Sequence, residues 1–153
     1  MVGNGGNELS FLDDLAVAKE TVSDRVVTPH IPVVINKKMY TVLVIRASSK
    51  DWAEATLRHG PREGIQADAR NGYNMTGVTR EIAPEYGRVV EDDGTETQLT
   101  AEQWDDFWEA MPPAAARLIE ANVWFLHERD TELEIVEAKK ASAPRRSSRK
   151  KSV

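Results

Sequence analysis

The sequence predicts an α+β domain in which an N-terminal β-hairpin leads into a small, mostly α-helical body ending in a helical hairpin, between disordered termini. Three observations carry this. Val33 to Ile45 is dense in β-branched residues around a polar break at Asn36 to Lys38, which favours two strands over a helix. Residues 100 to 128 hold two apolar stripes at helical spacing on either side of Pro112-Pro113. The ends are poor in apolar surface: residues 1 to 7 are Gly- and Asn-rich, and residues 139 to 153 hold seven bases, no acid and no large apolar residue before Val153. Such segments bury too little to offset the entropy of ordering. At 153 residues one domain is expected. The division is an N-terminal arm over 1–29, a body over 30–130 and a charged, largely disordered tail over 131–153.

In chain order, Ser10 to Val22 spaces Phe11, Leu12, Leu15, Ala18 and Val22 as a short amphipathic helix capped by Ser10. In the second arm of the hairpin Met39, Thr41, Leu43 and Ile45 face one way, and Tyr40, Val42, Val44 and Arg46 the other. Ser48 to Asp51 resembles a capping box opening a helix with Trp52 and Ala55 on one face, closed by Gly60-Pro61. Arg62 to Gly72 is polar and reads as a further helix. Thr76 to Tyr86 reads as a short helix interrupted by Pro84 and closed by Gly87, followed by a small hairpin about Asp93-Gly94. Thr100-Ala-Glu-Gln103 is a full capping box. Behind it, Ala101, Trp104, Phe107, Trp108 and Met111 form an apolar stripe, and Glu102, Asp105, Asp106 and Glu109 an acidic one. The last helix opens at the Pro-Pro corner and runs to about Glu128, with Ala115, Leu118, Ile119, Asn122, Phe125 and Leu126 expected on its buried side.

Composition excludes several chemistries. Without cysteine there are no disulfides, thiolate metal sites or cysteine nucleophiles. No run approaches the roughly 18 apolar residues of a membrane span, and the first residues lack the basic start and apolar run of a secretory signal. His30, His59 and His127 stand in different elements without ligand spacing, and the acidic pairs lack the alternating donors of a calcium loop. No phosphate loop or Gly-x-Ser-x-Gly elbow occurs. The expectation is a protein without catalytic residues, cofactor or metal. Residues 1 to 138 hold 13 bases and all 25 acids, a charge of −12, which draws basic partners and repels nucleic acid.

The four tryptophans are Trp52, Trp104, Trp108 and Trp124. Core packing is the preferred reading for Trp104 and Trp124. Trp108 borders both stripes of its helix, so its ring is expected to remain partly open as a docking anchor. The expected partner surface is therefore Trp104, Phe107, Trp108 and Trp124 with the acidic stripe Glu102, Asp105, Asp106 and Glu109.

One ordered constellation exceeds these local arguments. A β-hairpin leads into Ser49-Lys-Asp-Trp52, His59-Gly-Pro-Arg62, Asp68 and Gly72-Tyr-Asn74. A short helix follows, then Leu99-Thr-Ala-Glu-Gln-Trp-Asp-Asp-Phe-Trp108, and a last helix ending Asn122-Val-Trp-Phe-Leu126. This order, over roughly Val33 to Leu126, resembles the tail assembly chaperones of long-tailed (siphovirus-type) phages infecting actinobacteria. Members commonly carry His-Pro-Pro where this chain has His59-Gly60-Pro61. The resemblance implies a non-enzymatic protein of the infected host's cytoplasm, absent from the mature virion. It would bind the tape measure protein, keep it soluble and help recruit tail tube protein around it, with self-association left open. Family genes often yield a longer frameshifted product, and Ala138-Lys139-Lys140 permits a slippery codon run. The alternative is a structural virion protein, a head–tail connector or minor tail component. A nucleic-acid-binding regulator using the basic tail is a further rival, opposed by the acidic body.

Overall fold

A computed structural model describes residues 5–20 and 25–142. The expected disorder of residues 1–4 and 143–153 lies outside these. The first helix, α1 (Gly5–Glu20), starts ahead of the expected Ser10 cap and takes in residues 5 to 7, expected to be loose. A cap preference decides a helix start only where the chain ahead of it is not already helical. Phe11, Leu12, Leu15 and Val17 of this helix are all exposed.

The α+β expectation holds. The predicted hairpin is β1 (Ile31–Ile35) and β2 (Lys38–Val44), joined by Asn36 and Lys37 at φ 55° and 64°. Two successive left-handed residues make the turn that matches the natural twist of paired strands. The hairpin is half of a larger sheet. β3 (Gly87–Val90) pairs antiparallel with β2, and the short β4 (Glu96–Thr97) pairs with β3. The inner face carries Ile31 and Val33 of β1, Val42 and Val44 of β2, and Gly87 and Val89 of β3. The expected alternation stands for Val42 and Val44, while Leu43 of the opposite set is buried as well.

Helices cover that inner face. α2 (Ser49–Arg58) begins at Ser48, whose Oγ accepts the Asp51 N–H at 3.1 Å. The Asp51 carboxylate does not close the box; it accepts the Tyr86 hydroxyl instead. α3 (Gln66–Asn71) is the expected helix of the polar stretch, ended by Gly72 in the left-handed conformation. α4 (Met75–Tyr86) is capped by Asn74 and carries Pro84 without interruption. A proline lacks the N–H for the bond to the carbonyl four residues earlier, and the packed helix continues with that one bond missing. α5 (Ala101–Ala110) has both reciprocal bonds of the Thr100–Gln103 box, at 2.9 and 3.1 Å. α6 (Pro113–Trp124) turns back at the proline corner. Both arms of this helical hairpin pack on α4, and α6 also reaches β1.

The last helix departs from expectation twice. Ile119, Val123 and Leu126 are buried with Ala115 and Ala116 partly so, whereas Leu118 and Phe125 are about half exposed. The apolar stripe is wide enough for two phases, and contact with α4 and β1 selects one. The helix also does not end near Glu128. Its hydrogen bonds widen to π spacing over Phe125–Arg129 and then resume as α7 (Asp130–Ser142). The part of the expected tail over 131–142 is therefore helical. Asp130 and Glu132 in its first turn and Lys139 and Lys140 in its last complement the helix dipole. Arg46 donates to Glu134 at 3.2 Å and ties this helix to the end of β2.

The core centres on Trp104, 1% exposed. A Cβ at Gly87 would stand 2.5 Å from its ring and 2.7 Å from the Ala83 carbonyl oxygen. Trp104→Ala is expected to cost about 3–5 kcal/mol; Glu102→Gln on the exposed stripe should stay within about 0.5 kcal/mol. Gly87→Ala should cost about 1–3 kcal/mol by overpacking. In the Trp104→Ala background that second cost should shrink without vanishing, because the Ala83 carbonyl remains. Urea melts of the four proteins test the cycle, and additive costs would separate the two residues.

Candidate docking surface

The structure separates the expected partner residues into buried and available ones. Trp104 lies in the core as expected. Trp108, expected to be partly open, is 7% exposed and belongs to the same core. Its ring centroid lies 5.4 Å from that of Trp104, and the Arg80 guanidinium sits 5.7 Å from its ring centroid. The border position misled because α4 covers the flank that a lone helix would leave open. Neither indole N–H of Trp104 or Trp108 finds an acceptor among the described residues. Both rings act as apolar mass, without the polar handle that favours tryptophan at interfaces.

Phe107 is half-buried, with its ring 5.5 Å from Trp104, and Trp124 is half-buried against the exposed Phe125. Glu102, Asp105, Asp106 and Glu109 are all exposed, as expected of a solvated stripe. Asp105 and Glu109 border a shallow hollow with Arg80 and the edge of Trp108. The proposed set is therefore not one surface: its two central tryptophans are withdrawn into the core.

An apolar groove stands where the core runs out to the surface. Ile35, Tyr40, Val89, Leu99 and Phe107 line a cavity of about 250 Å³ between the inner face of the sheet and α5. Ile35, Tyr40 and Val89 all belong to the inward set of the strands. Leu99 stands just ahead of the Thr100 cap, the position from which an apolar side chain folds over the first helical turn. Tyr40 also walls a second hollow lined by Lys38, Met39, Val90 and the acidic turn Glu91, Asp92 and Asp93. The turn is held by the Glu91 N–H on the Thr95 carbonyl and by Asp93 Oδ1, which accepts the Thr95 N–H at 2.9 Å. Lys38 is the base of this rim, and its ammonium lies 5.5 Å from the Tyr40 ring centroid. Of the groove, only Phe107 was visible as a site residue in the sequence. The inward alternation of the strands was the available signal for Tyr40, but Val89 joins it only through the pairing of β3 with β2.

A second cluster forms where the last helix widens. The Trp52 and His127 rings stack with centroids 3.9 Å apart and planes at 7°. Glu128 accepts the Trp52 indole N–H and the Tyr73 hydroxyl, each at 3.0 Å. Burial, with the Glu128 carboxylate beside it, pushes the Tyr73 hydroxyl far above its usual range. The Ala47 N–H donates to His127 Nε2 at 2.9 Å, so Nδ1 carries the proton and donates to the Val123 carbonyl at 2.7 Å. Burial holds the imidazole below its ordinary pKa, against the pull of Val123 and Glu128, and Arg46 adds to the depression. His59 contacts Glu81 at 3.2 Å, and Arg58 grips Glu81 through two bonds at 2.7 Å. These histidines staple elements together, and no His, Asp or Glu grouping among the described residues could hold a metal ion. No helix among them is long and apolar enough to cross a membrane.

Compared with known proteins, the chain matches no family model, no curated sequence and no solved structure.

His127 sets a pH dependence. Its ordinary pKa of 6.5 is lowered on folding, so the unfolded chain binds the proton more readily. The contribution is complete above pH 6.5 and is lost progressively as pH falls toward the depressed value. Asp68 and Glu81, held below their ordinary range chiefly by hydrogen bonds from Arg62 and Arg58, lose theirs only in stronger acid, below about pH 4. The urea midpoint should therefore decline as pH falls below 6.5, and His127→Gln should flatten that decline. An unchanged slope in the variant would assign it elsewhere.

Proposed function

We propose that this protein is a tail assembly chaperone: it holds a long, helical tape measure protein in solution during assembly and helps bring tail tube subunits to it. The observation that supports this reading most is the apolar groove of Ile35, Tyr40, Val89, Leu99 and Phe107, open to solvent on a strongly acidic body. A tape measure exposes apolar helical seams before the tube encloses it, and such seams associate wrongly. A chaperone for it needs an apolar surface to cover a seam and enough charge to keep the complex dissolved. The motif order from Trp52 through Trp108 supports the same reading on sequence grounds. The role requires no catalytic step, so the proposal is a non-enzymatic one.

The test is co-production with a tape measure protein, followed by sedimentation. The partner should remain in the supernatant only when this chain is present, and should pellet alone. The complex should form without nucleotide. A partner equally soluble with and without the chain would refute the proposal. Finding the chain in purified particles would favour the virion-component alternative.

A further inference from the structure

We propose that the groove between the sheet and α5 docks one amphipathic α-helix of a protein partner, seating a large apolar side chain and pairing its Lys or Arg flank with the acidic turn 91–93. This deepens the chaperone reading and rests on it for the partner's identity, though not for the chemistry of the site.

The size of the groove selects the kind of ligand. At about 250 Å³ it is smaller than the roughly 300–1,000 Å³ of small-molecule pockets, and suits a single apolar anchor. Its walls are two aromatic rings, Tyr40 and Phe107, and three aliphatic chains, Ile35, Val89 and Leu99. Aromatic residues at the mouth of a desolvated slot are where interface affinity concentrates.

The sheet edges select a helix over a strand. A partner strand needs a row of unpaired backbone groups, and neither edge offers a good one. β1 carries Pro32, which has no N–H to donate, and β4 is two residues long. Insertion of a helix between sheet and helix needs no free edge.

The charges select the flank. The hollow that shares Tyr40 with the groove carries Glu91, Asp92 and Asp93, all exposed, against Lys38. α5 also presents Glu102 and Asp106 to solvent. A helix with basic residues flanking its apolar stripe meets opposite charge at the acidic turn, and an acidic one meets repulsion.

The experiment uses the isotopically labelled full chain and two synthetic helical peptides of about 18 residues, five turns. Both carry the same leucine stripe, one filled out with lysine and the other with glutamate. The lysine peptide should move the amide signals of Ile35, Tyr40, Val89, Leu99 and Phe107 and bind about tenfold tighter than the glutamate one. Glu91→Lys with Asp92→Lys should weaken it about tenfold, whereas Glu63→Lys with Glu137→Lys, equal in net charge, should change it less than about twofold. Tyr40→Ser tests the apolar part, with circular dichroism as the fold control. Equal losses in both charge-reversed variants would reduce the effect to net charge and overturn the site. Groove amides unmoved by either peptide, as an occupant from the chain's own basic end would leave them, would also overturn it. So would groove signals that shift with protein concentration alone, which would make a second copy the occupant. Groove binding without rescue of a tape measure protein refutes the chaperone reading alone. Rescue that survives Glu91→Lys with Asp92→Lys and Tyr40→Ser refutes the groove alone.

Discussion

The contact between the Trp104 ring and Gly87 is the constraint on which the rest of the molecule depends. Gly87 is the residue at which α4 ends and β3 begins, so the same backbone atom closes a helix, opens a strand and receives the largest side chain of the core. Its lack of a side chain matters here for close approach, since its φ of −83° suits any residue. With the ring seated there, α5 packs on α4, Trp108 joins the same core, and the Pro112-Pro113 corner returns α6 to β1. A close-packed interior transmits such a choice because its voids are too few to absorb a shift.

The π segment is the second device. One extra residue per turn rotates the chain beyond Trp124, so that His127 stacks on Trp52 and Glu128 reaches both Trp52 and Tyr73. A regular helix over the same residues would point them elsewhere, and α2 would lose its polar ties to the last helix. Such widened turns cost backbone geometry and persist where neighbouring contacts compensate. Here the compensation is the partly buried group of Trp52, Tyr73, His127 and Glu128, joined by ring stacking and hydrogen bonds. It reads as an architectural joint, since both ring nitrogens of His127 are engaged by the backbone.

The proposed groove stands beside the first of these features, since Phe107 lies 5.5 Å from the Trp104 ring and Val89 shares β3 with Gly87. Trp104 and Trp108 are taken up by packing, and the apolar groove still open is made of partly buried groups around Phe107. That arrangement suits a reversible partner, because a shallow groove with a charged rim gives fast encounter and moderate affinity. The chaperone proposal needs such reversibility, since a bound tape measure must later pass to the tube.

The sequence by itself determined the elements whose signals are local. The hairpin follows from β-branched alternation around Asn36, α5 from the reciprocal bonds of Thr100 and Gln103, and the helical corner from Pro112-Pro113. It also determined the acidic body, the solvated stripe of α5 and the burial of Trp104. The tertiary structure alone decided the pairing of β3 with β2, the phase of α6, the widened turn before α7 and the burial of Trp108. Each of these is a choice between faces or registers that the isolated segment satisfies almost equally well. The groove belongs to the same class, because its walls come from the β1–β2 hairpin, from β3 and from α5 with the residue ahead of its cap, segments far apart in the chain. Periodicity records which residues want to leave water; only the packing of one element on another decides which of them succeed.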